Sequence, residues 1–255
     1  MESGDSSGDS NRQHCCFREW QTQQEEYLSE LLRELQLSGD GHDKDTLLRN
    51  LAEKNIKHFQ EYIDKRNRLA RADISPFFAP DWCTSLESSL LWIAGCRPSS
   101  FIRLIYAICG SQIESQLTQF LQGVRTGNLG ELNAAQLNLV NRLQGKVIRE
   151  EEKLTSQMAS LQEEIADHPI SVIANGAVRN GGDGGNTEVE EALDEHSRSM
   201  LRVMEEADQL RMSTLKELIG ILTPVQAVDF LTASRKLHLS IHEWGLKRDH
   251  LHGRN

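Results

Sequence analysis

Residues 133–165 read NAAQLNLVNRLQGKVIREEEKLTSQMASLQEEI and carry the longest uninterrupted apolar pattern of the chain. Apolar side chains recur at steps of three and four residues, which places them on one face of an α-helix. This stripe consists of Val140, Leu143, Val147, Leu154, Met158, Leu161 and Ile165. At about 1.5 Å per residue, the predicted helix is about 50 Å long. Because Glu151 interrupts the stripe, we expect packing inside one bundle rather than a free-standing coiled coil.

Similar stripes predict further helices on both sides of this one. Each proline lies where a periodic pattern stops or starts, and the prolines are Pro76, Pro80, Pro98, Pro169 and Pro224. The predicted helices span about 17–37, 43–72, 84–93, 98–121, 133–165, 187–222 and 224–244. No alternating strand pattern of convincing length is present. We therefore predict an all-α fold, a single elongated bundle of about six to seven mostly antiparallel helices.

Local signals indicate where several helices begin and end. Three segments resemble capping boxes, in which side chains satisfy the first free backbone N–H groups, and these are 84–87, 187–190 and 223–226. Pro224 falls at a first helical position, where its missing N–H is not needed. Gly245 is predicted to end the last helix, because glycine readily adopts the left-handed conformation found at helix C-termini.

The pattern divides the chain into one helical domain and two short tails. Residues 1–13 are rich in Ser, Gly and Asp and are expected to be a disordered tail, the helical domain covers 14–246, and 247–255 form a C-terminal tail. Within the domain, 175–186 contain five glycines and few apolar residues, which predicts a flexible loop. The loop lacks the Gly-Lys-Ser/Thr ending of a phosphate-binding loop, so we do not expect it to bind a nucleotide.

The composition argues against several classes of protein. The chain has 255 residues, enough to bury a core, and a net charge of −10, which disfavours direct binding to nucleic-acid phosphates. Its five cysteines include no C-x-x-C pair, which indicates reduced thiols rather than a disulfide framework or a structural zinc site. We find no signal peptide and no apolar run long enough to cross a bilayer. We therefore expect a soluble intracellular protein without a membrane partner.

Catalytic motifs are absent from the sequence. It contains no nucleophile elbow, no kinase motif set and no H-E-x-x-H pair. Arg103 is one residue too far from Cys96 for the C-x5-R loop of a phosphatase, and Cys96 is interpreted as a small buried side chain. Cys15 and Cys16 adjoin His14, but adjacent side chains diverge and no second pair supports a metal site. We therefore do not expect an enzyme.

Two histidines of the last predicted helix form the one constellation that suggests a ligand. His238 and His242 are four residues apart, so their side chains emerge on one face of the helix beside its apolar stripe. One interpretation is that neutral imidazoles close the edge of the core. The other is that they bind a metal or haem iron. Glu243 follows the second histidine instead of lying between the two, which excludes zinc-peptidase geometry.

Three segments of the chain resemble one plant protein family. They are DWC followed by LWIAGCRPSSFIRLIYAICGSQ within 81–112, EEEK at 150–153, and the stretch from LTPVQA to HEWG over 222–245. Over about 17–247, the chain is similar to the Delay of Germination (DOG) seed-dormancy proteins. Their domain also forms the C-terminal part of TGA-type bZIP transcription factors. The GCRPSS and HLSIHEWG motifs are typical of the dormancy proteins rather than of TGA factors.

The resemblance implies a haem-binding regulator of seed dormancy and germination in abscisic-acid signalling. Such a protein acts in the nucleus, with a cytoplasmic pool, and restrains type-2C protein phosphatases. The family's haem histidines fall on His238 and His242. Neighbours on one helical face point the same way, so this pair cannot clamp both faces of one haem unaided. We expect one histidine to bind iron and the other to orient it or meet a propionate, for which Arg235, one turn earlier, is a further candidate.

The resemblance also suggests a partner-binding segment near the N-terminus. The family's short phosphatase-contacting motif maps onto 15–20, where Glu19 and Trp20 match, Phe17 is a conservative aromatic and the other three positions differ. We therefore predict that Phe17, Glu19 and Trp20 contact the partner. From physical chemistry alone, Trp20 is more typical of a core anchor at the start of a helix.

Other functions remain open at this point. One alternative is a transcriptional regulator like the TGA factors. Because no basic helix followed by a zipper lies ahead of Phe17 in this sequence, such a regulator would associate with DNA through bZIP-type partners. Another is a bundle that holds a lipid-like ligand in its apolar interior, with the histidines as edge residues. Self-association is also compatible with the pattern.

Overall fold

The computed structural model describes residues 6–37, 42–122, 126–167, 170–180 and 185–254. Every described regular element is helical, which confirms the predicted all-α fold. A 3₁₀ turn at Leu129–Glu131 lies between α5 and α6. The α-helices are α1 (Ser6–Leu37), α2 (His42–Ala70), α3 (Ser75–Phe78), α4 (Ser85–Ser89), α5 (Ser99–Leu121), α6 (Ala134–Glu164), α7 (Ile170–Asn180), α8 (Gly185–Ile221) and α9 (Pro224–Leu251).

Helix α6 confirms the long predicted helix and explains its interrupted stripe. The residues Val140, Leu143, Val147, Leu154 and Leu161 are buried, and α6 packs along α8. Glu151 is also buried, where it pairs with Arg97 Nε at 2.7 Å and accepts the Ser99 backbone N–H at 2.6 Å. A carboxylate is favourable at a helix N-terminus. Glu151 therefore anchors the start of α5 to α6.

Two of the three predicted capping boxes are confirmed, and the third is wrong. The Thr84 and Thr223 side chains each accept the backbone N–H three residues later, while Glu87 and Gln226 bind back to the caps. Thr187 instead lies inside α8, which begins at Gly185. The two confirmed boxes define the starts of α4 and α9.

The first helix begins earlier than predicted. Helix α1 starts at Ser6, so the predicted disordered tail at 1–13 is wrong for 6–13, and residues 1–5 lie outside the described part. Gln13 and Cys16 are buried, and Gln13 Nε2 donates to the backbone oxygen of Asp73 at 3.3 Å. These tertiary contacts outweigh the polar composition that predicted disorder.

The described chain has nine α-helices rather than six to seven, because α3 and α7 were not predicted. Pro76 does not interrupt helical structure but lies in the first turn of the one-turn helix α3. Helix α7 packs on α8 and includes 175–180, while 185–186 begin α8. The predicted loop at 175–186 is therefore wrong at both of its ends, and 181–184 lie outside the described residues.

Two helix ends also differ from the prediction. Helix α4 ends at Ser89, and Ile93, predicted to be helical, lies with Ala94 in a turn where both residues have positive φ. Helix α9 does not end at Gly245 but continues to Leu251, through much of the predicted tail at 247–255. A Cβ at Gly245 would lie 2.1 Å from Thr84 Oγ1, so this glycine permits close helix packing rather than a helix end.

Two buried apolar clusters form the core. One centres on α2, α5, α6, α8 and α9 and includes Leu48, Ile105 and Phe230. The other includes Phe77, Leu154 and Met204 and is completed by the Ile93–Ala94 turn. Residues of both clusters, including Leu231 of the first and Phe77 of the second, line one cavity.

Candidate functional site

A cavity of about 500 Å³ lies among α1, α2, α8, α9 and the 80–101 segment. Its apolar lining is rich in aromatic side chains, including Trp20, Phe59, Tyr62 and Phe101. Small-molecule sites in proteins commonly have this size and an apolar wall with a few polar groups. The polar lining includes two clusters of buried arginines with their partners, together with other polar side chains such as His238 and Glu87.

His238 lines the cavity from α9 and has an unusual environment. The residue is half-buried, but its Nε2 atom is inaccessible to solvent and has no hydrogen-bond partner. The ring meets the edge of Trp20, with 6.4 Å between the ring centroids. Burial lowers the pKa of His238. Glu87 opposes this by raising the pKa, whereas the nearby His242 and Arg235 lower it further. The imidazole is therefore neutral at pH 7, the form that binds metals.

Arg235 lies one turn before His238 on the same face and is also buried. Its Nε donates to Asn55 Oδ1 at 3.0 Å, its Nη2 donates to the same oxygen, and its Nη1 donates to Gln24 Oε1. The guanidinium lies over the Tyr27 ring, 5.1 Å from its centroid. Burial lowers the pKa of Arg235 to about 10, which still leaves it charged at pH 7. We call Gln24, Asn55 and Arg235 the amide–arginine cluster.

His242 occupies a different position from His238. Its Nδ1 lies 3.0 Å from each carboxylate oxygen of Glu87, and its ring meets the edge of Phe17 at 6.5 Å between centroids. Glu87 completes the capping box at the start of α4, so His242 joins α9 to the start of α4. The predicted pair thus shares one helical face, but His238 lines the cavity whereas His242 binds a structural carboxylate.

The second arginine cluster consists of Arg66, Asp208 and Arg211, all buried. Both arginines donate to Asp208 Oδ1, Arg211 through Nη1 at 2.6 Å. Further N–H groups of both arginines bind backbone carbonyl oxygens of the 92–96 turn: Arg66 binds Ala94 at 2.7 Å, and Arg211 binds Trp92, Ile93 and Cys96 at 2.6–2.9 Å. Arg66 Nε is buried without a hydrogen-bond partner. We call these three residues the ion-paired cluster. It holds the turn whose positive φ angles are otherwise unfavourable for Ile and Ala.

The chain is similar in sequence to known plant proteins over nearly its whole length. A family model described as "DOG1: Seed dormancy control" matches residues 27–107. Protein DOG1-like 3 of Arabidopsis thaliana is 42% identical over 97% of the chain and 88% of its own length. Protein DOG1-like 2 of the same plant is 38% identical over 97% of the chain and 95% of its own length. The chain belongs to the DOG1 family.

More distant similarity links this DOG1-family chain to transcription factors. Transcription factor TGA1 of Arabidopsis thaliana is 28% identical over 85% of the chain and 50% of its own length. Protein RESPONSE TO ABA AND SALT 1 of the same plant is 28% identical over 74% of the chain. The names that state a role are regulatory. The predicted resemblance to dormancy proteins and, more weakly, to TGA factors is thus confirmed.

The three residues predicted to contact a partner have unequal exposure in this DOG1-family chain. Phe17 and Trp20 are buried, and Trp20 stacks on Tyr62 with 4.2 Å between ring centroids. Only Glu19 is exposed, where it pairs with Lys65. The two aromatic residues are core anchors of α1 in this conformation. A partner contact through this segment stays a prediction, and Glu19 is its accessible residue.

Two features are absent from the described residues, a metal-holding group and a membrane-spanning helix. No group of three or more His, Cys, Asp or Glu side chains among the described residues is arranged to hold a metal ion. None of the described helices combines the length and the apolar character needed to cross a membrane. His238 Nε2 and Gln24 Nε2 are among the buried polar atoms of the cavity lining that have no hydrogen-bond partner. Sequence reasoning missed Gln24, Asn55 and the whole ion-paired cluster.

Proposed function

We propose that this DOG1-family chain is a haem-responsive regulatory protein, not an enzyme, that controls seed dormancy and germination in abscisic-acid signalling. It acts in the nucleus and also in the cytoplasm, where it binds and restrains type-2C protein phosphatases. Family membership supports the role in dormancy. The observation that carries the haem proposal is the half-buried, neutral His238, whose solvent-inaccessible Nε2 atom has no hydrogen-bond partner beside an aromatic cavity.

The residues present fit a haem group in three respects. His238 would bind the iron through a nitrogen that the fold leaves without a hydrogen bond. Arg235 would hold a propionate, because a guanidinium forms strong hydrogen bonds with carboxylates. The aromatic wall would exclude water from the macrocycle. When bound, haem supplies a redox-active iron whose state can be sensed by the protein.

His242 would act as a positioning residue rather than as an iron ligand. Neighbours one turn apart on a helix cannot approach iron from opposite faces of a porphyrin. Its Nδ1 already meets Glu87, which closes the α4 side of the cavity. His242 therefore orients the wall that lies against the ligand, while His238 provides the contact.

The test is a haem titration followed by the Soret absorption band. We expect the wild type and the His250→Ala control, which removes an exposed histidine of α9, to give the same shifted band. The His238→Ala variant should lose the shift, and His242→Ala should keep it with weaker affinity. Unchanged spectra and affinity in His238→Ala would refute the proposed ligand.

Phosphatase binding is proposed through the exposed side of α1 that carries Glu19. The supporting features are the resemblance of 15–20 to the family motif and the exposure of Glu19. We expect Glu19→Arg to weaken capture of a type-2C phosphatase, whereas Glu26→Arg, at another exposed position of α1, should not. Equal capture by both variants would count against this contact. Trp20→Ala is unsuitable as a test, because removing a buried Trp costs about 3–5 kcal/mol of stability.

A second candidate function is transcriptional regulation through bZIP-type partners. The alignment with TGA1 over 85% of the chain favours it. With a net charge of −10, the chain should not retard DNA by itself but should further retard a bZIP protein already bound to its DNA site. A mobility-shift assay tests this candidate, and an unchanged bZIP–DNA band would exclude it.

A further inference from the structure

The charges that line the cavity differ in sign from the protein as a whole. The chain carries a net charge of −10, yet the charged residues that line the cavity are Arg66, Arg97, Arg211, Arg235, Glu87 and Asp208. Arg66 and Arg211 share Asp208, and Arg97 pairs with Glu151. Among the described residues, no carboxylate forms an ion pair with Arg235, which binds only two amide oxygens. Arg235 is thus a buried cation without an ion-pair partner among the described residues; Glu30, which pairs with Lys54, favours its charged form only through a longer-range attraction.

Hydrogen-bond donors remain unused at this end of the cavity. A guanidinium has five N–H groups, and the bonds of Arg235 to Asn55 and Gln24 use three of them. The Gln24 Nε2 atom is buried and has no partner. Reversing the Gln24 amide would not help, because its NH₂ group would then face the guanidinium, donor against donor. Asn55 is fixed in turn by its bond to the Leu51 backbone oxygen at 2.7 Å.

A purely structural role explains this arrangement incompletely. Burial of an unpaired charge is costly, and the contact with the Tyr27 ring offsets only part of that cost. In the ion-paired cluster, by contrast, the fold supplies Asp208 as the carboxylate partner of the two arginines that hold the 92–96 turn. A ligand group suited to these donors would accept hydrogen bonds, carry negative charge and sit against an aromatic wall.

We propose that the amide–arginine cluster is a binding site for the carboxylate of an aromatic or polycyclic acid, with Arg235 and Gln24 as the donors and the aromatic cavity wall holding the ring system. The site takes the carboxylate whether or not the ligand contains iron. Two sources share this chemistry, which are a porphyrin propionate and a free aromatic carboxylic acid. The proposal goes beyond haem binding and stands if haem does not bind.

The test compares an acid with its neutral isostere. We would titrate naphthalene-2-carboxylate and naphthalene-2-carboxamide into the wild-type chain by calorimetry, because the two probes differ only in the group that meets Arg235. A charged hydrogen bond favours the acid by about tenfold or more. Arg235→Gln should abolish this preference. The Lys236→Gln control removes a positive charge from an exposed position of α9 and should retain it. Equal affinity of the wild type for both probes would overturn the proposal.

A second variant keeps the test decisive if Arg235→Gln does not fold. Gln24→Glu places a carboxylate beside Arg235, so it should raise the melting temperature and abolish the preference for the acid. Retention of the preference in Gln24→Glu, or in a folded Arg235→Gln, would also overturn the proposal. Haem and haem dimethyl ester form a third arm, in which tighter binding of haem than of its ester assigns the site to a propionate. Failure of haem alone, with the acid preference intact, refutes only the haem proposal.

Discussion

Two buried arginine clusters border the cavity, and they offset the cost of burying a positive charge in different ways. In the ion-paired cluster, Arg66 and Arg211 meet Asp208, and their remaining bonds go to backbone carbonyl oxygens. In the amide–arginine cluster, the hydrogen bonds of Arg235 go to the neutral oxygens of Asn55 and Gln24, and its guanidinium lies over the Tyr27 ring. The first cluster contains a carboxylate that forms ion pairs with both arginines, whereas Arg235 has only the longer-range attraction of Glu30.

This difference separates a structural role from a binding role. The ion-paired cluster holds the 92–96 turn, where Gly95 leaves no room for a side chain because a Cβ would lie 2.9 Å from Arg211 Cζ. The amide–arginine cluster holds no such turn and lies one helical turn from the unpartnered His238. Buried charges that lack a partner in the chain commonly occur at functional sites.

The largest expected effect comes from removing the counterion of the ion-paired cluster. Asp208→Asn leaves two buried arginines without a carboxylate, and breaking such a buried pair costs about 3–5 kcal/mol. Arg235→Gln should cost about 1 kcal/mol or less, because the lost hydrogen bonds are offset by relief of a desolvated charge. Urea unfolding of both variants measures the contrast. Equal losses of stability in the two variants would contradict the proposed difference between the clusters.

A smaller effect is expected where α9 contacts the α4 wall of the cavity. Gly245→Ala places a methyl group against Thr84, 2.1 Å from Oγ1, and overpacking of this kind costs about 1–3 kcal/mol. Gly220→Ala in α8 is the matched control, because nothing lies within 4 Å of its Cβ position. That control should stabilise the helix by about 0.5–1 kcal/mol. Thermal unfolding distinguishes the variants, and a neutral Gly245→Ala would contradict the close packing.

The smallest expected effect concerns the proton on His238. Because burial lowers its pKa below the ordinary value of 6.5, the unfolded chain binds the proton more readily. Stability should therefore fall as the pH decreases below about 6.5, by at most about 1.4 kcal/mol per pH unit from this group. His238→Gln should reduce this loss and His250→Gln should not, as measured by the urea midpoint between pH 7.5 and 5.5. Identical pH dependence in both variants would exclude a buried neutral His238.

The sequence predicted the elements whose signals are local. The α6 stripe and the capping boxes at Thr84 and Thr223 depend on spacing within one helix, so they were readable directly. The end of α9 could not be predicted in this way, because Gly245 lies against Thr84, a residue far away in the chain. Gly245 has the same sequence signature whether it ends a helix or permits close packing.

The candidate site was predicted only in the part that lies on α9. His238, His242 and Arg235 were identified from helical spacing and from the family resemblance. Their separate roles depend on Glu87, Asn55 and Gln24, which come from other helices. The ion-paired cluster left only one local signal, the three-residue spacing of Asp208 and Arg211 within α8. Its bonds to the 92–96 turn join residues that are far apart in the sequence, and a periodic pattern of residues does not indicate such contacts.

Competition between the two kinds of ligand tests the central claim, that His238 and Arg235 belong to one binding cavity, most directly. Haem would be titrated into the wild type at increasing concentrations of naphthalene-2-carboxylate, with the Soret band as the signal. One shared cavity predicts that the apparent Kd for haem rises in proportion to the acid concentration, while naphthalene-2-carboxamide has little effect. A haem Kd that stays constant at saturating acid would contradict the account.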